Sequence, residues 1–142
     1  MKADLTKVSI RRGDIYLVNL GCDSKGRTIS RPVLVIQNDI GNRFCSTVIV
    51  VPLIPETLKK KLLFSISIKA NSVTGLMKDH VAVFSQIRTV DKSWFTNDCY
   101  LGRLNDEDRE QMDKAIELSL GLSTLQKLQN RKEVYVNQKK LV

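Results

Sequence analysis

The chain has 142 residues, 42% hydrophobic and 27% charged, with 7 glycines, 3 prolines and a formal net charge of +8. That is enough apolar material for one domain with its own core and too much for an intrinsically disordered chain. No stretch approaches the roughly 20 apolar residues that span a bilayer, and the opening MKADLTKVSIRRGD lacks the apolar centre of a signal peptide, so a soluble cytoplasmic protein is expected.

In chain order, the first two-thirds reads as strands. Ile15–Val18 follows the turn signal Arg12-Gly13-Asp14. A ten-residue basic segment, Gly21 to Ser30, reads as a long mobile loop of the kind that carries function on a rigid sheet. Pro32–Gln37 and Thr47–Val51 are continuous, β-branched runs that suggest strands buried on both faces. Between them, Asp39–Arg43 reads as a turn, with Gly41 and Asn42 suited to positive φ. Leu62–Ile68 alternates like a half-buried strand, and Val81–Phe84 and Gln86–Val90 complete a set of up to six strands. Short strands at this spacing point to a small curled sheet or barrel.

After residue 104 the period changes. Asn105 is a good N-cap, Asp106, Glu107 and Asp108 complement the positive end of a helix dipole, and Met112, Ala115, Ile116, Ser119 and Leu120 share one face. A core-facing helix over 106–121 is predicted, with Leu122, Leu125 and Leu128 either extending it or starting another. The expected organisation is an N-terminal arm over 1–9, one domain over 10–122 and a basic extension over 123–142.

Charge is unevenly spread. Residues 25–92 carry 11 Lys/Arg against 4 Asp/Glu, 105–117 carry 6 acids against 2 bases, and the last 20 residues return to +4. A basic strand-rich body invites a polyanion. The three cysteines, Cys22, Cys45 and Cys99, are odd in number and far apart, which suggests reduced, partly buried thiols rather than a disulfide framework or a zinc site.

Candidate residues follow from this pattern. Arg31 ends the basic loop directly before the strand Pro32–Gln37, so a rigid element aims its planar fork at phosphate; the competing reading is a surface ion pair. Gln86 and Arg88 lie two apart and share a strand face, where an amide reads a base edge and a guanidinium holds a phosphate. Arg12, Lys25 and Arg27 are further candidate phosphate contacts, each balanced against a plain solvated surface. Lys59-Lys60-Lys61 reads as a solvated loop, and His80, the only histidine, has no second histidine for acid–base work. No His/carboxylate cluster has metal-ligand spacing.

Taken together, RRGDIYLVNL, RPVLVIQNDIGNRF, STVIVVPL and QIRTVD, in this order and spacing, closely resemble the PemK/MazF family of toxins from type II toxin–antitoxin pairs, over Ile10 to Leu122. The resemblance implies an α+β, mainly β fold: a small SH3-like barrel of the PemK/MazF/CcdB type with a C-terminal amphipathic helix, usually a homodimer. It implies metal-independent, cofactor-free cleavage of single-stranded RNA, messenger RNA in particular, through 2′-OH attack, and restraint by an acidic, partly disordered antitoxin. It assigns the catalytic arginine to Arg31. The family's Ser/Thr after the third strand falls here on Ile54, which leaves Thr57 as the substitute if the loop is re-registered, with Thr47 and Ser46 more distant. Two alternatives stay open: a degenerate member that binds RNA or antitoxin without cutting, favoured by Ile54, and a CcdB-type gyrase inhibitor, disfavoured by QIRTVD.

Overall fold

The computed structural model describes residues 8–56 and 64–122. Thr57, Lys59-Lys60-Lys61, Leu125, Leu128 and the extension 123–142 lie outside the described residues. The strands are β1 (Asp14–Cys22), β2 (Thr28–Val35), β3 (Thr47–Pro55), β4 (Ser65–Ile68), β5 (His80–Val83), β6 (Arg88–Asp91) and β7 (Tyr100–Arg103). Among the described residues two α-helices accompany them, α1 (Asp39–Phe44) and α2 (Asp106–Leu120). All strand pairs are antiparallel, in the order β4-β5-β3-β2-β1-β7, with β6 also on β3. The result is the curled sheet with a C-terminal helix that the alternation and period change predicted. No described helix is long and apolar enough to cross a membrane.

The continuous apolar runs are explained by two cores, one on each face of the sheet. Ile15, Leu34, Val51 and Leu53 point to the side covered by α2, where they meet Phe84, Met112, Ala115 and Ile116. Their neighbours Tyr16, Val33, Val35, Val48 and Val50 point to the opposite side, under Ile10, Val90 and Phe95. Successive residues of a strand face opposite ways, so a strand covered on both sides is apolar throughout. Tyr16 fills its side with edge-to-face contacts to Phe95 and Tyr100, at centroid distances of 5.1 and 5.4 Å.

Helix α2 matches its expectation except at its end, where Leu120, expected on the inner face, is 55% exposed. Asn105 caps it by accepting from the Asp108 N–H at 2.8 Å, and Gly121, at φ 63°, ends it with its N–H on the Glu117 carbonyl. Ser119, on the predicted inner face, donates to the Phe84 carbonyl at 2.7 Å and so ties the helix to the end of β5.

Four local expectations need correction. Asp39–Arg43 is not a positive-φ turn but part of α1, because Asn38 accepts from the Gly41 N–H and the buried Asn42 amide donates to the Gln37 carbonyl. The supposed loop Gly21–Ser30 is mostly strand: β1 runs to Cys22, β2 starts at Thr28, and only the tip turns. The last strand before α2, β7, was not anticipated; four residues including Gly102 carry no readable alternation. Of the cysteines, Cys22 and Cys45 are exposed and Cys99 is intermediate.

Candidate functional site

Strand β3 determines where the site opens. On one edge it pairs with β2, through Val33 opposite Pro52 and Val35 opposite Val50. On its other edge it meets β6 and then β5 in succession. Between Val50 and Leu53, β3 advances three residues, while its partner edge advances six, from Ala82 to Arg88. The surplus is looped out over Phe84–Ile87, in a turn closed by the Gln86 N–H on the Val83 carbonyl at 3.0 Å.

That looped-out turn and the ends of β2 and β3 enclose a cavity of about 410 Å³, lined by Arg31, Pro52, Ile54, Val83, Ser85, Gln86, Ile87 and Arg88. Extending the β2–β3 register two residues past Val33 and Pro52 sets Arg31 opposite Ile54. Arg31 shares its face with Val33 and is backed by Val18 on β1, so it stands where the outer core opens to solvent. It is half-buried, and its side chain makes no hydrogen bond or ion pair among the described residues. The ion-pair reading of Arg31 therefore has no partner in the described structure. Arg88 pairs with Val50 on β3 and donates to the Leu20 carbonyl at 3.3 Å, which joins the pocket rim to the end of β1. Among the described residues the lining holds two guanidiniums, an amide and a hydroxyl, and no carboxylate. Two positive charges without a counter-charge make a ready anion site.

The other candidates lie elsewhere. Thr57 is outside the described residues. Lys25 and Arg27 sit at the tip of the β1–β2 hairpin, with Gly26 at φ 78°. Asp23 gathers this tip, accepting from the Lys25 and Arg27 N–H groups at 2.9 Å and from Arg27 Nε at 2.7 Å. These bonds, the Arg27 backbone first, hold the Asp23 carboxyl below its ordinary 3.8. A depressed value means the tip is reinforced above the unfolded pKa and loosened as pH falls through the folded one. In an NMR titration the Lys25 and Arg27 amide shifts are expected to move together with a midpoint below 3.8; a midpoint at or above it would contradict this account.

Arg12 is committed to structure instead of phosphate. Its Nη1 lies 2.6 Å from Asp113 of α2, its Nε donates to the Ile36 carbonyl at 2.9 Å, and its N–H donates to Asp39 at 2.7 Å. Arg109 of α2 donates in turn to the Arg12 carbonyl. Arg12→Ala is expected to cost about 1–2 kcal/mol in urea unfolding while leaving RNA affinity unchanged; an affinity loss at unaltered stability would reverse that assignment. His80 is buried, with Nδ1 2.7 Å from the Lys78 carbonyl, and does not line the pocket. A larger groove of about 610 Å³ beside α1, lined by Val8, Ile40, Phe44 and Lys92 among others, holds none of these candidates. Among the described residues no group of three His, Cys, Asp or Glu side chains is placed to hold a metal ion.

Sequence reasoning did not nominate Ser85. The signal was its position immediately before Gln86, but its place in the pocket depends on the three-residue offset between β5 and β6.

Comparison with known proteins follows the same outline. A family model described as PemK-like, MazF-like toxin of type II toxin-antitoxin system matches residues 11–120. Endoribonuclease EndoA of Bacillus subtilis is 40% identical over 117 residues, which cover 80% of this chain and 96% of that protein. Endoribonuclease MazF of Staphylococcus saprophyticus is 38% identical over 120 residues, covering 82% and 95%. Two solved structures share the fold: a mycobacterial endoribonuclease in complex with its cognate antitoxin, at TM-score 0.63 and 23% identity over 80% of this chain and 97% of that one; and a MazE–MazF complex from Deinococcus radiodurans, at TM-score 0.63 and 18% identity over 82% and 100%.

Proposed function

The chain belongs to the PemK-like, MazF-like toxin family of type II toxin–antitoxin systems, and from that premise we propose that it is a sequence-specific endoribonuclease acting on single-stranded RNA. The observation that carries the proposal is Arg31: half-buried, unpaired among the described residues, and in one pocket with Gln86 and Arg88. A guanidinium kept partly from water without an acceptor favours an anion that will supply one.

RNA contains its own nucleophile. The 2′-oxygen attacks the adjacent phosphorus, the P–O5′ bond breaks, and charge accumulates on the phosphorane oxygens in between. Arg31, permanently cationic, stabilises that charge instead of shuttling a proton. Arg88 holds a neighbouring phosphate, and Gln86, with both donor and acceptor, reads a base edge. Lys25 and Arg27 at the hairpin tip extend the positive surface along the strand; Thr57 is a further candidate for the site. The substrate is messenger RNA in the cytoplasm, the active form is a homodimer, and the restraining partner is an acidic antitoxin matched to the +8 charge of the toxin. The named endoribonucleases at 38 and 40% identity favour this reading over gyrase inhibition.

The test is incubation of purified, antitoxin-free protein with long single-stranded RNA. Discrete fragments support the proposal. Salt-sensitive binding without fragments would instead make this a binding module, with apolar Ile54 as the reason.

A further inference from the structure

We propose that Ser85 supplies the catalytic hydroxyl of this pocket, donating a hydrogen bond to a phosphorane oxygen beside Arg31. The inference rests on the endoribonuclease reading and names a residue which that reading did not require.

The pocket wall offers few groups that can donate to a phosphoryl oxygen at short range. Arg31 and Arg88 donate through guanidiniums and Gln86 through its amide, while Pro52, Ile54, Val83 and Ile87 contribute only carbon at their side chains. Position 54, opposite Arg31 by strand register, is thus silent. Ser85 is the single hydroxyl in the lining among the described residues. It is exposed, and its hydroxyl has no hydrogen-bond partner among the described residues. The turn that presents it is held from three sides: the Gln86 N–H on Val83, the Phe84 N–H on the Phe64 carbonyl at 2.9 Å, and the Ser119 hydroxyl on the Phe84 carbonyl at 2.7 Å. A hydroxyl with no described partner, on an anchored turn in the same pocket as Arg31, is preorganised for charge that appears only in the transition state.

The step balances without a protein base. The 2′-oxygen bonds to phosphorus and its proton passes to water; the P–O5′ bond breaks and the departing 5′-oxygen takes a proton from water. Ser85 keeps its own proton throughout and acts by hydrogen bonding alone.

The experiment is steady-state cleavage of a defined single-stranded RNA by wild type, Ser85→Ala, Ser85→Thr and Thr57→Ala, with thermal unfolding of each. Ser85→Ala is expected to lower kcat roughly 10²-fold with little change in KM or Tm, and Ser85→Thr to recover most of the loss. Wild-type kcat in Ser85→Ala, with Thr57→Ala inactive or not, would overturn the proposal while leaving the endoribonuclease reading intact. A loss in Ser85→Ala that appears in KM or Tm instead of kcat would also overturn it, as a binding or structural role. Absence of cleavage by the wild type would remove both.

Discussion

Arg31→Ala is expected to lower kcat for RNA cleavage by about 10³-fold and to leave the fold in place, measured as initial rates on a single-stranded substrate and by thermal unfolding. The size follows from position. Arg31 is the residue that β2 carries to the mouth of the outer core, with Val18 behind it and Ile54 across the strand gap. Its guanidinium has no partner to release among the described residues, so the substitution removes transition-state stabilisation without breaking a described bond. Arg31→Lys should recover only part of the rate, because an ammonium is a point charge that cannot present two parallel donors to one phosphate. A Tm lowered in proportion to the rate would mean that Arg31 is structural. A full rate in Arg31→Ala would move the catalytic charge to Arg88.

Gly102→Ala and Gly75→Ala should be the most damaging small substitutions among the described residues. A Cβ at Gly102 would stand 2.2 Å from the Val73 carbonyl oxygen and 2.5 Å from Thr74, where the backbone of the 71–75 turn lies directly on β7. Gly75 meets β7 from the other side: its φ is 70°, and a Cβ there would be 1.9 Å from the Leu101 oxygen. Neither contact is with a flexible side chain, so relief requires the 71–75 turn and β7 to separate, and β7 is held by its pairing with β1, where Gly102 lies opposite Ile15 at the edge of the α2-covered core. Each alanine is expected to cost about 3 kcal/mol or more, lowering Tm by about 10 °C. Gly21→Ala is the useful contrast: its φ of 112° is strained for alanine, but a Cβ there meets nothing within 4 Å, so only about 1–2 kcal/mol is at stake. Equal losses at Gly21 and Gly102 would show that backbone conformation, and not the close approach, governs these positions.

What could be read from the sequence depended on whether the information was local. The apolar runs of β2 and β3 announced burial on both faces because alternation vanishes only when both sides are covered, and α2 announced itself through Asn105, the acidic first turn and the apolar spacing of Met112, Ala115 and Ile116. Helix α1 was misread because Gly41 and Asn42 favour turns on their own, and the buried amide contacts of Asn42 that outweigh that preference involve tertiary packing. Arg31, Gln86 and Arg88 were nominated from strand position; they line one pocket, but Gln86 does so from the turn before β6, which starts only at Arg88, and not from a shared strand face. Arg12 was nominated from charge, and charge does not reveal that Asp113, 101 residues away, already occupies it. Ser85 carried only its position beside Gln86 as a signal. Its role in the proposal depends on a strand offset that only three-dimensional pairing defines.

The most direct test of the central claim is the fate of an RNA in which one nucleotide at a mapped cleavage site carries 2′-deoxyribose. The account predicts that cleavage at that phosphate stops while flanking sites continue, and that the unmodified RNA yields 2′,3′-cyclic phosphate and 5′-hydroxyl ends. Continued cleavage at the deoxy position would show that another nucleophile attacks, and the chemistry assigned to the Arg31 pocket would be wrong.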